Sequence, residues 1–218
     1  MVQVDALLSL GLYHLDLWNL DKAAAIFQQV IDIATGTAHQ SWADKATLCW
    51  ALVQSYGSDP TRQTQALAAA EQAYQALTDK ARPEDTGRFA FFMQLLGQTY
   101  ANSGQSQRAE TLYEQAIAFA KTSHYRQVQA KALVGQGELA RQRQDWVGAI
   151  SALQTALGLF EDLGARSDLA EAHYQCGLTH QVQGAIEMAQ THFQRAIQLF
   201  TAIQAPKQIA KVEAAQLL

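Results

Sequence analysis

The stretch MQLLGQTYANSGQSQRAETLYEQA, residues 93–116, decides the fold. Met93, Leu96, Gly97 and Tyr100 recur at i, i+3, i+4 and i+7, and Ala109, Tyr113 and Ala116 continue the pattern on the next segment. This is the period of an amphipathic helix rather than the alternation of a strand, and it predicts two helices in succession.

The same residues return along the chain. Gly97, Gly137 and Gly177 stand 40 apart, in step with Ala109, Ala149 and Ala189, with Ala116, Ala156 and Ala196, and with Ala90, Ala130, Ala170 and Ala210. Leu159-Phe160 repeats as Leu199-Phe200, and Ala165 as Ala205. Towards the N-terminus Gly11 and Ala51 keep the step, and Ala23 and Phe27 match Ala189 and Phe193, but Ala51 and Gly97 are 46 apart. The six extra residues are expected at Gly57-Ser58-Asp59-Pro60-Thr61-Arg62, a cluster of turn formers. A period of this length marks a stacked-repeat architecture, in which each repeat is one supersecondary unit.

The reading is all-α, an α-solenoid of antiparallel helix pairs, with helices near 3–17, 20–35, 40–56, 60–79, 85–103, 106–121, 125–143, 146–162, 167–183, 186–203 and 206–217. The three prolines agree. Asp59-Pro60 reads as an N-cap followed by a helix-opening proline, Pro83 falls in a linker between repeats, and Pro206 opens the last helix. Glycine inside a helix costs roughly 1 kcal/mol relative to alanine, so its return at Gly11, Gly97, Gly137 and Gly177 needs a reason, and close approach of a neighbouring helix supplies one.

Composition narrows the function. The 218 residues are 49% hydrophobic and 17% charged, enough apolar surface for an ordered core. With 16 basic against 20 acidic residues there is no cation excess to displace counterions from a phosphate backbone, so no nucleic-acid partner is expected. Cys49 and Cys176 are expected as buried thiols of a reducing, cytoplasmic compartment rather than a disulfide scaffold. No membrane insertion and no signal peptide are expected, because the apolar stretch Ala6–Tyr13 is short and is followed by His14 and Asp16.

These residues resemble the tetratricopeptide repeat, W-x2-L-G-x2-Y followed by A-x3-F-x2-A. Met93, Leu96, Gly97 and Tyr100, then Ala109, Tyr113 and Ala116, match it with methionine in place of tryptophan. Gly177, Gly184, Ala189, Phe193 and Ala196 carry it in the fifth repeat, and Leu133, Gly137, Trp146, Ala149 and Ala156 in the fourth; the second is the most degenerate. The period is 40 instead of the usual 34, which lengthens the helices. The resemblance implies one domain over 1–218, with repeats at about 3–38, 40–82, 85–123, 125–164 and 167–204 and a capping helix at 206–217. It also implies a right-handed superhelix whose concave groove is lined by the first helix of each pair, and a non-catalytic adaptor that holds a peptide or helix of a partner protein there.

The groove stripe is expected at Lys45, Leu48, Leu52 and Ser55, at Phe91, Gln94, Gln98 and Ala101, at Lys131, Val134, Glu138 and Arg141, and at Glu171, Tyr174, Leu178 and Gln181. Amides, mixed charges and an occasional aromatic suit a peptide by hydrogen bonds plus an anchor. The family's carboxylate clamp uses lysine and asparagine on this stripe; the corresponding places here hold leucine, glutamine, valine and tyrosine, so that clamp is not expected. An alternative is a self-associating scaffold, a homodimer through Leu8, Leu12, Leu15 and Trp18 of the first repeat.

Catalytic patterns are scarce. His173, Cys176 and His180 share one helix face at a spacing that suits zinc, but in the repeat frame they face the second helix of their pair, so they are read as core and no metal or cofactor is expected. Gly135-Gln136-Gly137 lacks the third glycine of a dinucleotide loop, no hydrolase or phosphate-loop motif is present, and no enzyme activity is expected. Trp50 and Trp146 are read as packing residues, and Trp42 as a surface residue near a helix start.

Overall fold

The structure is a computed structural model that describes residues 2–79 and 86–217. Among them are eleven helices and no strand: α1 (Val2–Asp16), α2 (Leu20–Ala34), α3 (Gln40–Ser55), α4 (Pro60–Asp79), α5 (Thr86–Asn102), α6 (Ser106–Thr122), α7 (Arg126–Gln142), α8 (Trp146–Leu163), α9 (Arg166–Val182), α10 (Ile186–Ala202) and α11 (Pro206–Ala215). All the expected helices form, with ends within two residues of their expected places. None is long and apolar enough to cross a membrane.

The chain divides into two compact units, Met1–Gln115 and Ala116–Leu218, with the division inside α6. In the first unit α1 packs on α2 and α3 on α4, while the first helices also meet, α3 touching both α1 and α5. In the second, α7 pairs with α8 and α9 with α10; α9 contacts α7 and α8, and α10 contacts α11.

One contact recurs inside the pairs. A Cβ on Gly97 would stand 2.9 Å from Cε1 of Tyr113, one on Gly137 2.8 Å from Cγ of Leu153, and one on Gly177 2.5 Å from Cδ1 of Phe193; at Gly11 the obstacle is the Phe27 ring. Tyr113, Phe27, Leu153 and Phe193 are almost wholly buried. Glycine on the first helix is thus a socket for a large side chain on the second. The second pair solves the problem differently. Ala66, Ala70 and Ala73 keep the spacing of Ala109, Tyr113 and Ala116, so Ala70 stands where the others carry the large side chain, and Ala51 stands at the glycine. Both alanines are fully buried, small matched to small.

The helix ends repeat as closely as the cores. The backbone enters the left-handed region at Gly104, Gln144 and Gly184, and again at His124, Gly164 and Gln204, each set spaced by 40 residues. In each turn the next N–H reaches back five residues to a carbonyl, as from Gln105 to Tyr100 (2.9 Å), Asp145 to Ala140 (2.9 Å) and Ala165 to Phe160 (3.1 Å). This satisfies carbonyls that the helix end would otherwise orphan. Where the left-handed residue is not glycine, the turn forms at a cost of about 1 kcal/mol.

Asp59 caps α4 as expected, Oδ1 accepting from the N–H of Thr61 (2.9 Å) and Arg62 (3.2 Å), and Pro60 and Pro206 each open a helix. Pro83 lies outside the described residues. The placement of the six extra residues is corrected. The α3–α4 connection, residues 56–59, exceeds the three-residue connection of 103–105 by one, and α4 has 20 residues against 17 in α6 and α10. The rest falls with residues 80–85. Trp42 is also corrected: it packs half-buried against the cluster of Val4, Val30 and Ala46 instead of lying on the surface, because its face of α3 turns towards α1 and α2.

The sockets make a direct test. Gly177→Ala should lower the stability to urea by about 1–2 kcal/mol, overpacking against Phe193 outweighing the gain in helix propensity. Gly158→Ala, at an exposed position of α8 where a Cβ meets nothing within 4 Å, should raise it by up to about 1 kcal/mol. Midpoints moving in the same direction would remove the ring contact as the reason for the glycine.

Candidate interaction surface

In the first unit the expected stripe is largely a joint between first helices. Leu48, Leu52, Gln94, Gln98 and Ala101 are buried, and Ser55 is 4% exposed. A directional chain of hydrogen bonds runs through it. Tyr113 donates to Oε1 of Gln98 (2.8 Å), Nε2 of Gln98 to Oδ1 of Asn102 (3.1 Å), Nδ2 of Asn102 to Oγ of Ser55 (2.8 Å), and the Ser55 hydroxyl to the carbonyl of Leu52 (2.6 Å). The chain fastens α6 to α5 and α5 to α3; aligned donors of this kind strengthen one another in a low-dielectric interior. Lys45 and Phe91 remain half-buried at its margin, with Lys45 Nζ 4.5 Å above the Trp42 ring and Phe91 edge-on to Phe92.

In the second unit the stripe is more open and more charged. Lys131, Glu138, Arg141, Glu171, Tyr174, Leu178 and Gln181 are half-buried, and Val134 is buried. Arg141 donates through Nη1 to Oε1 of Gln175 (2.9 Å) and to its carbonyl (3.2 Å), which also accepts from the Thr179 hydroxyl (2.8 Å). Nε2 of Gln175 donates to Oε1 of Glu171 (2.9 Å), and Lys211 of α11 donates to Oε2 of the same carboxylate (2.8 Å). Lys131 pairs with Asp168 at 2.9 Å, and Gln181 donates to the carbonyl of Ala215 (3.0 Å). Charge-assisted bonds such as those of Arg141 are worth about 1.5–3 kcal/mol each. Lys211 Nζ also sits 4.5 Å above the Tyr174 ring. Burial, then the Glu171 carboxylate, push the Tyr174 phenol up to about 12, so it stays protonated and able to donate.

The sequence reading missed Gln175, Thr179, Asp168 and Lys211. One signal was available for the last: Lys131, Glu171 and Lys211 are spaced by the repeat period, with charges alternating.

On α1, Leu8 joins Leu7, Ile31 and Trp42 around Val4, Val30 and Ala46; Leu12 and Leu15 are half-buried, and Trp18 lies against Tyr56 with ring centroids 4.7 Å apart. Among the described residues the exposed large apolar side chains of this helix are Leu10 and Tyr13, at 43% and 56%.

His173 and His180 of α9 meet His192 of α10, a residue the spacing argument did not include. Nδ1 of His173 lies 3.0 Å from Nδ1 of His192, so one ring donates to the other, and His192 stacks on His180 with centroids 5.4 Å apart. Cys176 is buried, its thiol pushed up to about 12 by burial. Cys49 is likewise buried, and both are free thiols. Among the described residues no three histidines, cysteines or carboxylates come together as metal ligands. Burial, with the nearby His192 and Arg195, holds His173 down at about 4; burial and His180 lower His192. Both rings are therefore neutral in the folded state at pH 7 and bind protons more weakly than in the unfolded chain. The stability these two rings contribute is full above pH 6.5 and is lost as pH falls from there towards 4. Urea unfolding across that range should show this loss, and His173→Gln should flatten it; an unchanged slope would assign the loss to other groups.

The tetratricopeptide repeat family model matches residues 93–124. No match was found among curated proteins. Among solved structures, Bacillus thuringiensis PlcR, crystallised in complex with the peptide PapR7 and DNA, is similar with a TM-score of 0.75 at 10% identity, over 96% of this chain and 74% of that one. Aspartyl phosphate phosphatase F from Bacillus subtilis is similar with a TM-score of 0.65 at 14% identity over 94% of this chain, which spans about half of that protein (52%). Nearly identical TPR-like repeats of a putative kinesin light chain from Podosopora anserina give a TM-score of 0.58 at 15% identity, over 93% and 96%. Residues 93–124 thus match a tetratricopeptide repeat, and the helix pairs around them have the fold of TPR-like repeat proteins.

Proposed function

We propose that the protein is a non-catalytic adaptor of the cytoplasm that binds a peptide or helix of a partner protein along its first helices. The observation that carries this reading is the set of half-buried side chains on the stripe of each unit, Phe91 and Lys45 in the first, and Tyr174 with Lys131, Glu138, Arg141 and Gln181 in the second. An aromatic anchor among amides and charges is the composition that peptide recognition uses. PlcR, whose fold is similar, is crystallised in complex with the peptide PapR7 and DNA. The net charge of −4 argues for protein rather than nucleic acid as partner, and two buried free thiols suit a reducing compartment. No cofactor enters this reading.

Self-association through the first repeat is the second reading, favoured by exposed Leu10 and Tyr13 on the helix that carries Leu8, Leu12, Leu15 and Trp18.

Site-specific photocrosslinking separates the two. Benzoylphenylalanine at Tyr174 or Phe91 should trap one discrete partner from native lysate, and competing Tyr174→Ala protein should relieve that less than wild type does. The same probe at Val147, 81% exposed on α8, should not trap it. Equal trapping from Val147 would overturn the stripe as the site, and a product consisting of a second copy, formed only from Tyr13, would favour self-association.

A further inference from the structure

The first unit contains a second opening that the stripe does not use. Between α4, α5 and α6 lies an open cleft of about 500 Å³. Its walls include Leu96 and Tyr100 of α5, one turn apart, with Tyr74 of α4 and Leu112 of α6. Leu96 and Tyr100 are buried, whereas Tyr74 and Leu112 are half-buried. Such a volume, apolar with a few convergent polar groups, is in the range of ligand sites.

The polar groups are Glu71 and Arg108. One carboxylate oxygen of Glu71 accepts both the Tyr100 hydroxyl and Nη1 of Arg108, the latter at 3.2 Å, and the guanidinium lies 5.5 Å from the Tyr100 ring centroid. Burial and Glu71 push the Tyr100 phenol up to about 12, which keeps it a donor. The two charges cancel, so an ionic ligand gains no net attraction to offset its desolvation. The Glu71 carboxylate and the Arg108 guanidinium both line the space, an acceptor beside donors among apolar walls. An amide, which donates and accepts side by side without charge, complements that edge.

We propose that this cleft is a binding site for a short uncharged segment of polypeptide, one apolar or aromatic side chain filling the space while its main-chain amide engages Glu71 and Arg108. The site goes beyond the first-helix stripe and neither needs it nor shares its residues.

N-acetyltryptophanamide, a neutral side chain with its flanking amides, is the probe. Titrated into the wild-type protein, it should produce saturable NMR shifts confined to Leu96 and Leu112 methyls and to the backbone around Glu71 and Arg108. Tryptamine and indole-3-acetate, its cationic and anionic analogues, should bind at least about tenfold more weakly. Thr111→Trp and Gln75→Trp, which fill the opening from exposed positions on its two sides, should abolish the shifts with helicity unchanged. Absence of saturable shifts in the wild type, shifts that persist in both tryptophan variants, or equal binding of a charged analogue would each overturn the assignment.

Discussion

Everything above the level of a single helix depends on how closely the two helices of a pair approach, and that distance is set by one side chain entering the space where another residue lacks one. Phe193 against Gly177 and Tyr113 against Gly97 fix both the separation and the axial register of their pairs, because a ring can enter only where the glycine is. The second pair departs from this, with two fully buried alanines, Ala51 and Ala70, at the corresponding positions. Interiors packed to crystal-like density reward that complementarity and penalise either change made alone.

Once the pairs are rigid, what remains is how one pair meets the next, and here polar chemistry replaces rings. The Tyr113–Gln98–Asn102–Ser55 chain in one unit and the Arg141–Gln175–Glu171–Lys211 network in the other hold first helices together through side chains on the stripe expected to recognise a partner. A glutamine saturated by its neighbours has little left to offer a ligand. The more open stripe of the second unit, with Tyr174 beneath Lys211, retains both packing and chemistry at its surface.

The helices were legible because a 3.6-residue period, a 40-residue repeat and helix-opening prolines agree with one another. The insertion was misread because Gly57-Ser58-Asp59-Pro60 does form a turn, while the alanine-rich run after it prolongs α4 instead of a loop. The left-handed turn residues Gln144, His124 and Gln204 left no trace because none is glycine; the returning hydrogen bond, not the side chain, selects their conformation. The stripe itself was legible as a face of each first helix, but its partners were not. Which residue Arg141 meets depends on the offset between successive pairs, and His192 meets His173 from another helix altogether. Neither quantity is written in local spacing.

The alternation of Lys131, Glu171 and Lys211 bears on how such a chain can change in length over evolution. Repeat arrays grow and shrink by duplicating or excising whole modules, which is harmless when every junction is equivalent. Here a junction between Glu171 and Lys211 is an ion pair, and excising α9 and α10 would present lysine to lysine at the new seam. Removing that one module also removes Asp168, the carboxylate that Lys131 bonds, so its clean excision needs a compensating substitution at the new seam, and the charge at this joint holds the module in place as well as function does.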